Sequence, residues 1–244
     1  MVRRSLAYVV VVACTSAATL SVCHAQTRAV IELFTSQGCS SCPAADRLIG
    51  ELSKDPSLIS ISVPIDYWDY LGWKDTLADP LHTARQRAYS KVRGDREVYT
   101  PQVVVNGSYQ ALGSDKAAID HMIAKSRQNP AALSLPLNVS ISGGRLTVTL
   151  PEAGLTRPPA EVVVVGLARA ITVAIKRGEN KGKSITYHNV ARRWTKLESA
   201  DGKLWTVPLD QIEAEGVTAA AVMVQDGTLE HPSLILGAAM AALH

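Results

Sequence analysis

The segment AVIELFTSQGCSSCPAADRLIGELSK, residues 29–54, sets two cysteines between a predicted strand and a predicted helix, and it decides the fold expected for the first half of the chain. AVIELF is a short apolar run with β-branched side chains that ends at the turn-like TSQG. Pro43, directly after Cys42, suits the first turn of a helix, where its missing N–H costs little. Apolar residues then recur at helical spacing, at Ala45, Leu48, Ile49 and Leu52.

The N-terminal residues have the pattern of a secretory signal. Residues 1–25 begin with Arg3 and Arg4, continue through an apolar stretch and end in CHA, so we expect cleavage after Ala25. A permanent membrane anchor is the weaker alternative, because the apolar run is marginal for the roughly 20 residues that a span needs. We therefore expect an exported protein, periplasmic or secreted, with no stable membrane insertion after cleavage.

Cleavage leaves a nearly neutral chain. The 244 residues include 25 Lys and Arg against 22 Asp and Glu, and the leader takes two arginines with it. A balance of 23 basic to 22 acidic residues gives no electrostatic reason to expect nucleic acid or a membrane surface as a partner.

The cysteine pair is compatible with three kinds of site. Cleavage also removes Cys14 and Cys23, so Cys39 and Cys42 remain, in a compartment where disulfides form. Zinc normally takes four ligands, and the chain has neither a second cysteine pair nor closely spaced histidines. A structural disulfide across so short a loop removes little entropy from the unfolded chain, worth about 2 kcal/mol.

Redox exchange suits the spacing better. At the start of a helix, unpaired N–H groups and the helix dipole lower the pKa of the first thiol. The second thiol, one turn on, is within reach to resolve a mixed disulfide. This chemistry needs no metal or organic cofactor.

The rest of the first half continues to alternate strands and helices. The expected elements are a strand over 58–66 parallel to the first, a helix over 78–93, a hairpin over 102–112 that turns at Asn106-Gly107, and a helix over 114–127 capped by Ser114.

The second half is rich in short β-like runs. NPAALSLP, residues 129–136, is interpreted as a linker, and a hairpin around Gly143-Gly144 follows it. Further runs at strand-like spacing, typical of an antiparallel sandwich, lie at 161–167, 171–176, 184–190, 203–209 and 217–225. GENKGKS, residues 178–184, imitates a phosphate-binding loop but has one residue too few between its glycines, so we interpret it as a hairpin turn.

The element order resembles the thioredoxin fold, in which a cis-proline precedes the third strand beside the active disulfide; here that position is Thr100-Pro101. ELFTSQGCSSCP, DYWDYLGWKD, QRAY and VYTPQVVVNG are similar to segments of the secreted bacterial family catalogued as domain of unknown function 1223, which is regarded as thioredoxin-like. GENKGKSITYHNV extends the similarity into the second half. Gly38 and Ser40-Ser41 depart from the thioredoxin motif, so the resemblance implies no redox direction.

Glu32 is the one carboxylate in the first predicted strand, and thioredoxins place a proton acceptor for the second cysteine on the corresponding strand. If Glu32 is buried without a cationic partner, its pKa is expected to be raised, which suits proton transfer near neutral pH. The alternative is a strand-edge glutamate that faces water.

Two further groups of residues have both a functional and an ordinary interpretation. The aromatic residues of DYWDYLGW either wall a groove over the disulfide or anchor this segment to the domain; they are Tyr67, Trp68, Tyr70 and Trp73. The cations around the predicted helix over 78–93 either form a solvated face or favour the Cys39 thiolate; they are Arg85, Arg87, Lys91, Arg93 and Arg96.

The expected fold class is an α/β thioredoxin-like domain, residues 26–128, followed by an antiparallel β-sandwich-like domain, residues 137–244. The expected function is thiol–disulfide exchange with a thiol- or disulfide-bearing protein. The roles are as follows: Cys39 attacks or is attacked, Cys42 resolves, Pro101 shapes the docking surface and Glu32 relays a proton. The alternative is a non-catalytic binding module of the cell envelope whose disulfide merely persists.

Overall fold

The computed structural model of the protein describes residues 27–150, 160–198 and 202–243, so the predicted leader lies outside the described residues. The described helices are α1 (Cys42–Leu52), α2 (Pro80–Arg93) and α3 (Lys116–Ser126), with single 3₁₀ turns at Asp69–Leu71 and Leu209–Gln211. The described strands are β1 (Ala29–Thr35), β2 (Leu58–Pro64), β3 (Gln102–Val105), β4 (Tyr109–Leu112), β5 (Asn138–Ser142), β6 (Arg145–Thr149), β7 (Ala160–Ala174), β8 (Ser184–Leu197), β9 (Leu204–Pro208), β10 (Val217–Gly227) and β11 (Pro232–Ala242).

One mixed sheet of eight strands runs through both halves of the chain, in the order β11-β10-β7-β8-β2-β1-β3-β4, and β5, β6 and β9 form a second, three-stranded sheet. The expected fold class is therefore wrong. The described chain is mostly β, with three α-helices, and is not a thioredoxin-like α/β domain followed by a β-sandwich-like domain.

The physical reason for the merged sheet is the edge of β2. A strand edge leaves backbone N–H and C=O groups unpaired, and β8 covers this one by pairing parallel to β2 at Ser62 and Val190. Side chains strengthen the contact. Ser62 Oγ donates to the carbonyl of His188 at 2.8 Å, and Asn189 Nδ2 donates to the carbonyl of Ser60 at 3.0 Å.

The local elements of the first half are confirmed with small shifts. β1 and β2 are parallel, and β3 and β4 form the expected antiparallel hairpin. The cap of α3 is Asp115, whose side chain accepts from the N–H of Ala118, and not Ser114. In the second half, the runs at 161–167 and 171–176 belong to one long strand, β7, and β11 was not predicted.

Both faces of β1 are covered, which explains why all seven of its residues are buried. α1 and α3 pack on the face that carries Ile31 and Leu33. The opposite face carries Val30 and Phe34, which pack with Tyr89 of α2. The three-stranded sheet packs elsewhere, against β7 and β10. None of the helices in the described residues is long and apolar enough to span a membrane.

Candidate functional site

Cys39 and Cys42 form a disulfide at the N-terminal end of α1, with their Cα atoms 5.4 Å apart. Cys42 is the first residue of the helix, and Ser41, at the N-cap position, makes no side-chain cap bond. The Ser41 hydroxyl lies 3.4 Å from Cys39 Sγ instead. The sulfurs therefore sit where the N–H groups of a first helical turn lack intrahelical partners. The predicted order of strand, loop, cysteine pair and helix is confirmed.

The disulfide is largely covered. Cys39 is 4% exposed and Cys42 is fully buried, while Ser40 and Ser41 between them are exposed. Of the two cysteines, only Cys39 therefore keeps any contact with solvent.

Pro101 lies beside the first turn of α1. Its peptide bond with Thr100 is cis, as the resemblance implied. A Cβ atom built on Gly113 would lie 3.0 Å from Pro101 Cβ and 3.2 Å from Ala45 Cβ, so the proline and the helix contact the same glycine. The turn at Pro101 and the cysteine pair thus occupy the same end of the structure.

Trp68 connects the loop between β1 and α1, residues 36–41, to the turn at Thr100-Pro101. Residues 36–41 form the cysteine loop. Its Nε1 donates to Thr100 Oγ1 at 2.7 Å, and a Cβ atom built on Gly38 would lie 3.0 Å from Trp68 Cβ. Tyr70 stacks on Trp68 with ring centroids 6.1 Å apart and is 76% exposed. Trp73 has the anchoring role, because its Nε1 donates to Gln37 Oε1 at 2.8 Å.

Glu32 is buried but has a cationic partner. Arg85 Nε donates to Glu32 Oε1 at 2.7 Å, and the Tyr89 hydroxyl donates to Glu32 Oε2 at 2.6 Å. Both side chains of the ion pair are fully buried. Glu32 shares the face of β1 with Val30 and Phe34, which is opposite to the face covered by α1. The structure therefore does not bring Glu32 together with the cysteines.

The predicted cation group is likewise turned away from Cys39, because α2 packs on the face of the sheet opposite α1. Arg85 is buried in its ion pair, and Arg93 pairs with Asp95. Arg87, Lys91 and Arg96 are exposed, in agreement with the interpretation as a solvated face.

The buried acid on the side of the cysteines is Asp46, which the sequence interpretation missed. Asp46 follows Cys42 by one turn of α1, and Thr35 Oγ1 donates to its Oδ1 at 2.7 Å. Burial raises the pKa of Asp46 to about 8, and the nearby Asp75 adds to the effect. Within the described residues, Oδ2 of Asp46 has no hydrogen-bond partner, which fits a neutral carboxylic acid. The sequence signal for this acid was its position four residues after Cys42, which places both residues on one face of a helix.

Two further groups extend the acidic cluster. Burial raises the pKa of Asp75 to about 6, although the N–H groups of Gln37 and Leu77 donate to its carboxylate and favour the charged form. Burial, with Asp46 and Asp75 nearby, also raises the pKa of Tyr187 on β8. β8 of the second half therefore contributes to the environment of Asp46 and Asp75.

The turn between β7 and β8 also reaches the cysteine loop. Asn180 is fully buried, and its Nδ2 donates to the carbonyls of Gln37 at 2.9 Å and Cys39 at 2.8 Å. The N–H of Ser40 donates to Glu179 Oε2 at 3.3 Å. These residues belong to GENKGKS, whose interpretation as a hairpin turn is confirmed by the antiparallel pairing of β7 with β8. The described residues contain no group of three or more His, Cys, Asp or Glu that could hold a metal ion.

One family profile matches most of the chain. The profile of the family described as "Protein of unknown function (DUF1223)" matches residues 30–225. The crystal structure of protein AGR_C_4864 from Agrobacterium tumefaciens is similar to this chain, with 28% sequence identity and a TM-score of 0.76, over 89% of this chain and 95% of that one. No curated protein matches the chain.

Proposed function

Since the chain belongs to the DUF1223 family, whose description assigns no activity, we propose its function from the site: an exported enzyme that exchanges disulfides with thiol- or disulfide-bearing proteins. The observation that carries this proposal is the Cys39–Cys42 disulfide at the start of α1, with a protonatable acid, Asp46, one turn behind it.

The reaction proceeds through a mixed disulfide. A partner thiolate attacks Cys39 Sγ; the new sulfur–sulfur bond forms as the Cys39–Cys42 bond breaks, and Cys42 leaves as a thiolate with the bonding electron pair. A second partner thiolate then attacks the partner's own sulfur and releases Cys39 as a thiolate. The partner leaves with a disulfide, and the protein holds two reduced cysteines. Run in reverse, the same steps reduce a partner disulfide.

Asp46 transfers a proton to or from the sulfur of Cys42. As a neutral acid, it protonates the Cys42 thiolate when the disulfide opens; in the reverse direction its carboxylate removes that proton before Cys42 attacks the mixed disulfide. A pKa of about 8 keeps both forms of Asp46 accessible near neutral pH. A buried cysteine cannot exchange protons directly with water, so an internal acid is needed.

The docking surface favours a polypeptide partner. Trp68 and Tyr70 provide a stacked aromatic wall between the cysteine loop and the turn at Pro101. An exposed tyrosine that rests on a tryptophan supplies apolar contact area at low entropic cost, as residues at protein interfaces do.

The test is capture of the mixed disulfide. Cys42→Ser removes the resolving sulfur, so partners attached to Cys39 remain bound and can be identified after non-reducing electrophoresis. The matched control is Cys39→Ser, in which the remaining cysteine is the buried one and few partners are expected. Expression with the leader in a bacterial host also tests export. If Cys42→Ser captures no more protein than Cys39→Ser, the proposal is wrong.

A non-catalytic envelope binding module is the second candidate, and the small exposure of Cys39 favours it. The reduction potential separates the two functions. Structural disulfides in secreted proteins typically have potentials below about −300 mV, whereas catalytic ones are higher. A potential below that value, together with an unperturbed Cys39 thiol, would identify the inert module.

A further inference from the structure

The hairpin tip, residues 175–183 between β7 and β8, is stabilised by backbone hydrogen bonds within the turn itself. The N–H of Gly182 donates to the carbonyl of Ile175 at 2.8 Å, and the N–H of Lys181 donates to the carbonyl of Gly178 at 3.1 Å. These bonds suffice to connect the two strands. The contacts of Glu179 and Asn180 with the cysteine loop therefore exceed what a turn requires.

Asn180 is inserted into the cysteine loop. Both hydrogens of its amide are used, on the carbonyls of Gln37 and Cys39, and its Oδ1 accepts from Lys183 Nζ at 2.8 Å. The two bonds to Gln37 and Cys39 join residues more than 140 positions apart in the chain. Because Asn180 is fully buried, loss of its amide would leave two backbone carbonyls in the interior without this donor.

The hairpin tip also packs against the segment that bears the aromatic residues. A Cβ atom built on Gly178 would lie 3.1 Å from Trp73 Cβ, and Gly178 has a positive φ of 73°. A side chain at this position would be strained and crowded. The close approach holds the tip over the loop that precedes Cys39.

Glu179 places a carboxylate against the backbone of Ser40, a residue that lies between the two cysteines in the sequence. Glu179 Oε2 accepts from the N–H of Ser40, which lies one residue before the N-cap Ser41, so the carboxylate stands close to the positive end of α1. A negative charge there opposes ionisation of Cys39 and disfavours the dithiol form relative to the disulfide. Other charged or titratable groups near the pair include Asp46, Asp75, Tyr187 and Arg47, together with Lys183 on the tip.

We propose that the hairpin tip is a working part of the redox site: Asn180 positions the Cys39 loop, and Glu179 sets the redox balance by stabilising the disulfide over the dithiol. This inference rests on the proposed function. It assigns the second half of the chain a role in tuning the chemistry of the first.

Glu179→Gln isolates the charge. Glu179 is exposed, so the variant is expected to fold normally. Equilibration with a glutathione redox buffer should shift about threefold toward the dithiol, which corresponds to a potential about 14 mV higher. The pKa of the Cys39 thiol, followed by its thiolate absorbance, should fall. Both differences should shrink in 1 M salt, because exposed charges are screened.

The matched control for charge is Glu51→Gln, an exposed carboxylate in the last turn of the same helix. It changes the net charge equally and should leave the potential and the thiol pKa unaltered. If Glu179→Gln behaves like Glu51→Gln in both measurements, the tuning role is wrong.

Asn180→Ala tests positioning. Release of the Cys39 loop should speed reduction of the disulfide by dithiothreitol at least fivefold. Thr172→Val is its control, since Thr172 pairs with Thr186 in the strands that lead to the tip, outside the cysteine loop. Equal rates for both variants would overturn the positioning role.

These measurements need no partner and therefore separate this inference from the proposed function. A shifted potential in Glu179→Gln supports it even if Cys42→Ser captures nothing. Successful capture with an unshifted potential overturns it and leaves the proposed function intact.

Discussion

Asp46 follows Cys42 by one turn of α1, and both side chains are fully buried. Side chains four residues apart on a helix lie on the same face, so Asp46 shares the face of α1 that carries Cys42. Burial raises the pKa of this carboxyl group to about 8. The pair therefore joins a sulfur that must gain or lose a proton with an acid that can supply or accept one.

The first prediction concerns the rate of disulfide opening. At pH 7, below its pKa of about 8, Asp46 is mainly protonated and can donate to the departing Cys42 thiolate. Asp46→Asn removes this donor, and since general acid catalysis contributes roughly 100-fold or more, we expect reduction by dithiothreitol to slow at least tenfold. Rates are measured from pH 6 to 9 and divided by the concentration of dithiothreitol thiolate.

The pH profile discriminates a proton-transfer role from a structural one. The rate of the native protein should fall through pH 8, whereas that of Asp46→Asn should be flat. Asp120→Asn, an exposed site on α3, is the control and should follow the native profile. An Asp46→Asn profile that keeps the inflection near pH 8 would remove Asp46 from the mechanism.

The second prediction concerns stability. The pKa of Asp46 is about 8 in the folded state against 3.8 for the free group, so between these values the folded chain holds a proton that the unfolded chain has released. The free energy of unfolding therefore falls as the pH rises from about 4 to 8. Asn cannot ionise, so the stability of Asp46→Asn relative to the native protein should increase by up to about 4 kcal/mol between pH 4.5 and 7.5.

Urea denaturation of the oxidised proteins at several pH values measures this difference. Asp75, whose pKa is raised to about 6, contributes to the pH dependence of both proteins in the same direction. The comparison between the variant and the native protein cancels the contribution that both share and leaves that of Asp46, including its interaction with Asp75. A difference that does not change with pH would mean that Asp46 is ionised in the folded state.

Local features of the fold follow from the sequence because their causes lie within a few residues. The apolar runs of β1 and β2, Pro43 at the start of α1 and the turn at Asn106-Gly107 each determine their own element. The pairing of β2 with β8 has no such cause. The hydrogen bond of Ser62 with His188 between these strands joins residues 126 positions apart. The sequence of β2 requires only that its edge be covered and does not specify the strand that covers it.

The residues of the site also fall into those that a short motif identifies and those that depend on contacts between distant segments. The cysteine pair and Pro101 were recognisable from short motifs, whereas Glu32 was assigned to the cysteines from its position in the strand. Alternation along β1 places Glu32 on the opposite face, where Arg85 neutralises it. Asn180 could not be found, because its contact with the loop before Cys39 arises only when the merged sheet brings the second half onto that loop.

The third prediction concerns Glu32. Arg85 also donates to Gln225 Oε1 at 3.2 Å, and its Cζ lies 4.4 Å from the ring centroid of Trp194. Glu32→Gln leaves this buried cation without its counter-charge, so we expect a loss of about 3–5 kcal/mol of stability, measured by urea denaturation. The reduction potential should stay at the native value, because Glu32 lies on the face away from α1.

The companion variant is Glu32→Gln combined with Arg85→Met, which removes both charges. It should be more stable than Glu32→Gln alone, since no buried charge is left uncompensated. A rate of reduction by dithiothreitol that slows in Glu32→Gln by as much as in Asp46→Asn would instead return the proton-acceptor role to Glu32.

The fourth prediction concerns Tyr70, which is 76% exposed and stacks on Trp68. Its exposed ring contributes little to folding, so Tyr70→Ala should change the free energy of unfolding by less than about 0.5 kcal/mol. Loss of an aromatic contact should raise the KM for a captured protein partner roughly 3- to 10-fold, equivalent to about 0.7–1.4 kcal/mol of binding. The kcat should be unchanged, because the ring takes no part in the reaction at the sulfur atoms.

The control is Val92→Ala, which removes a similarly exposed apolar side chain from α2 and should leave KM unaltered. If Tyr70→Ala matches Val92→Ala, partners dock elsewhere and the aromatic wall only supports the Pro101 turn.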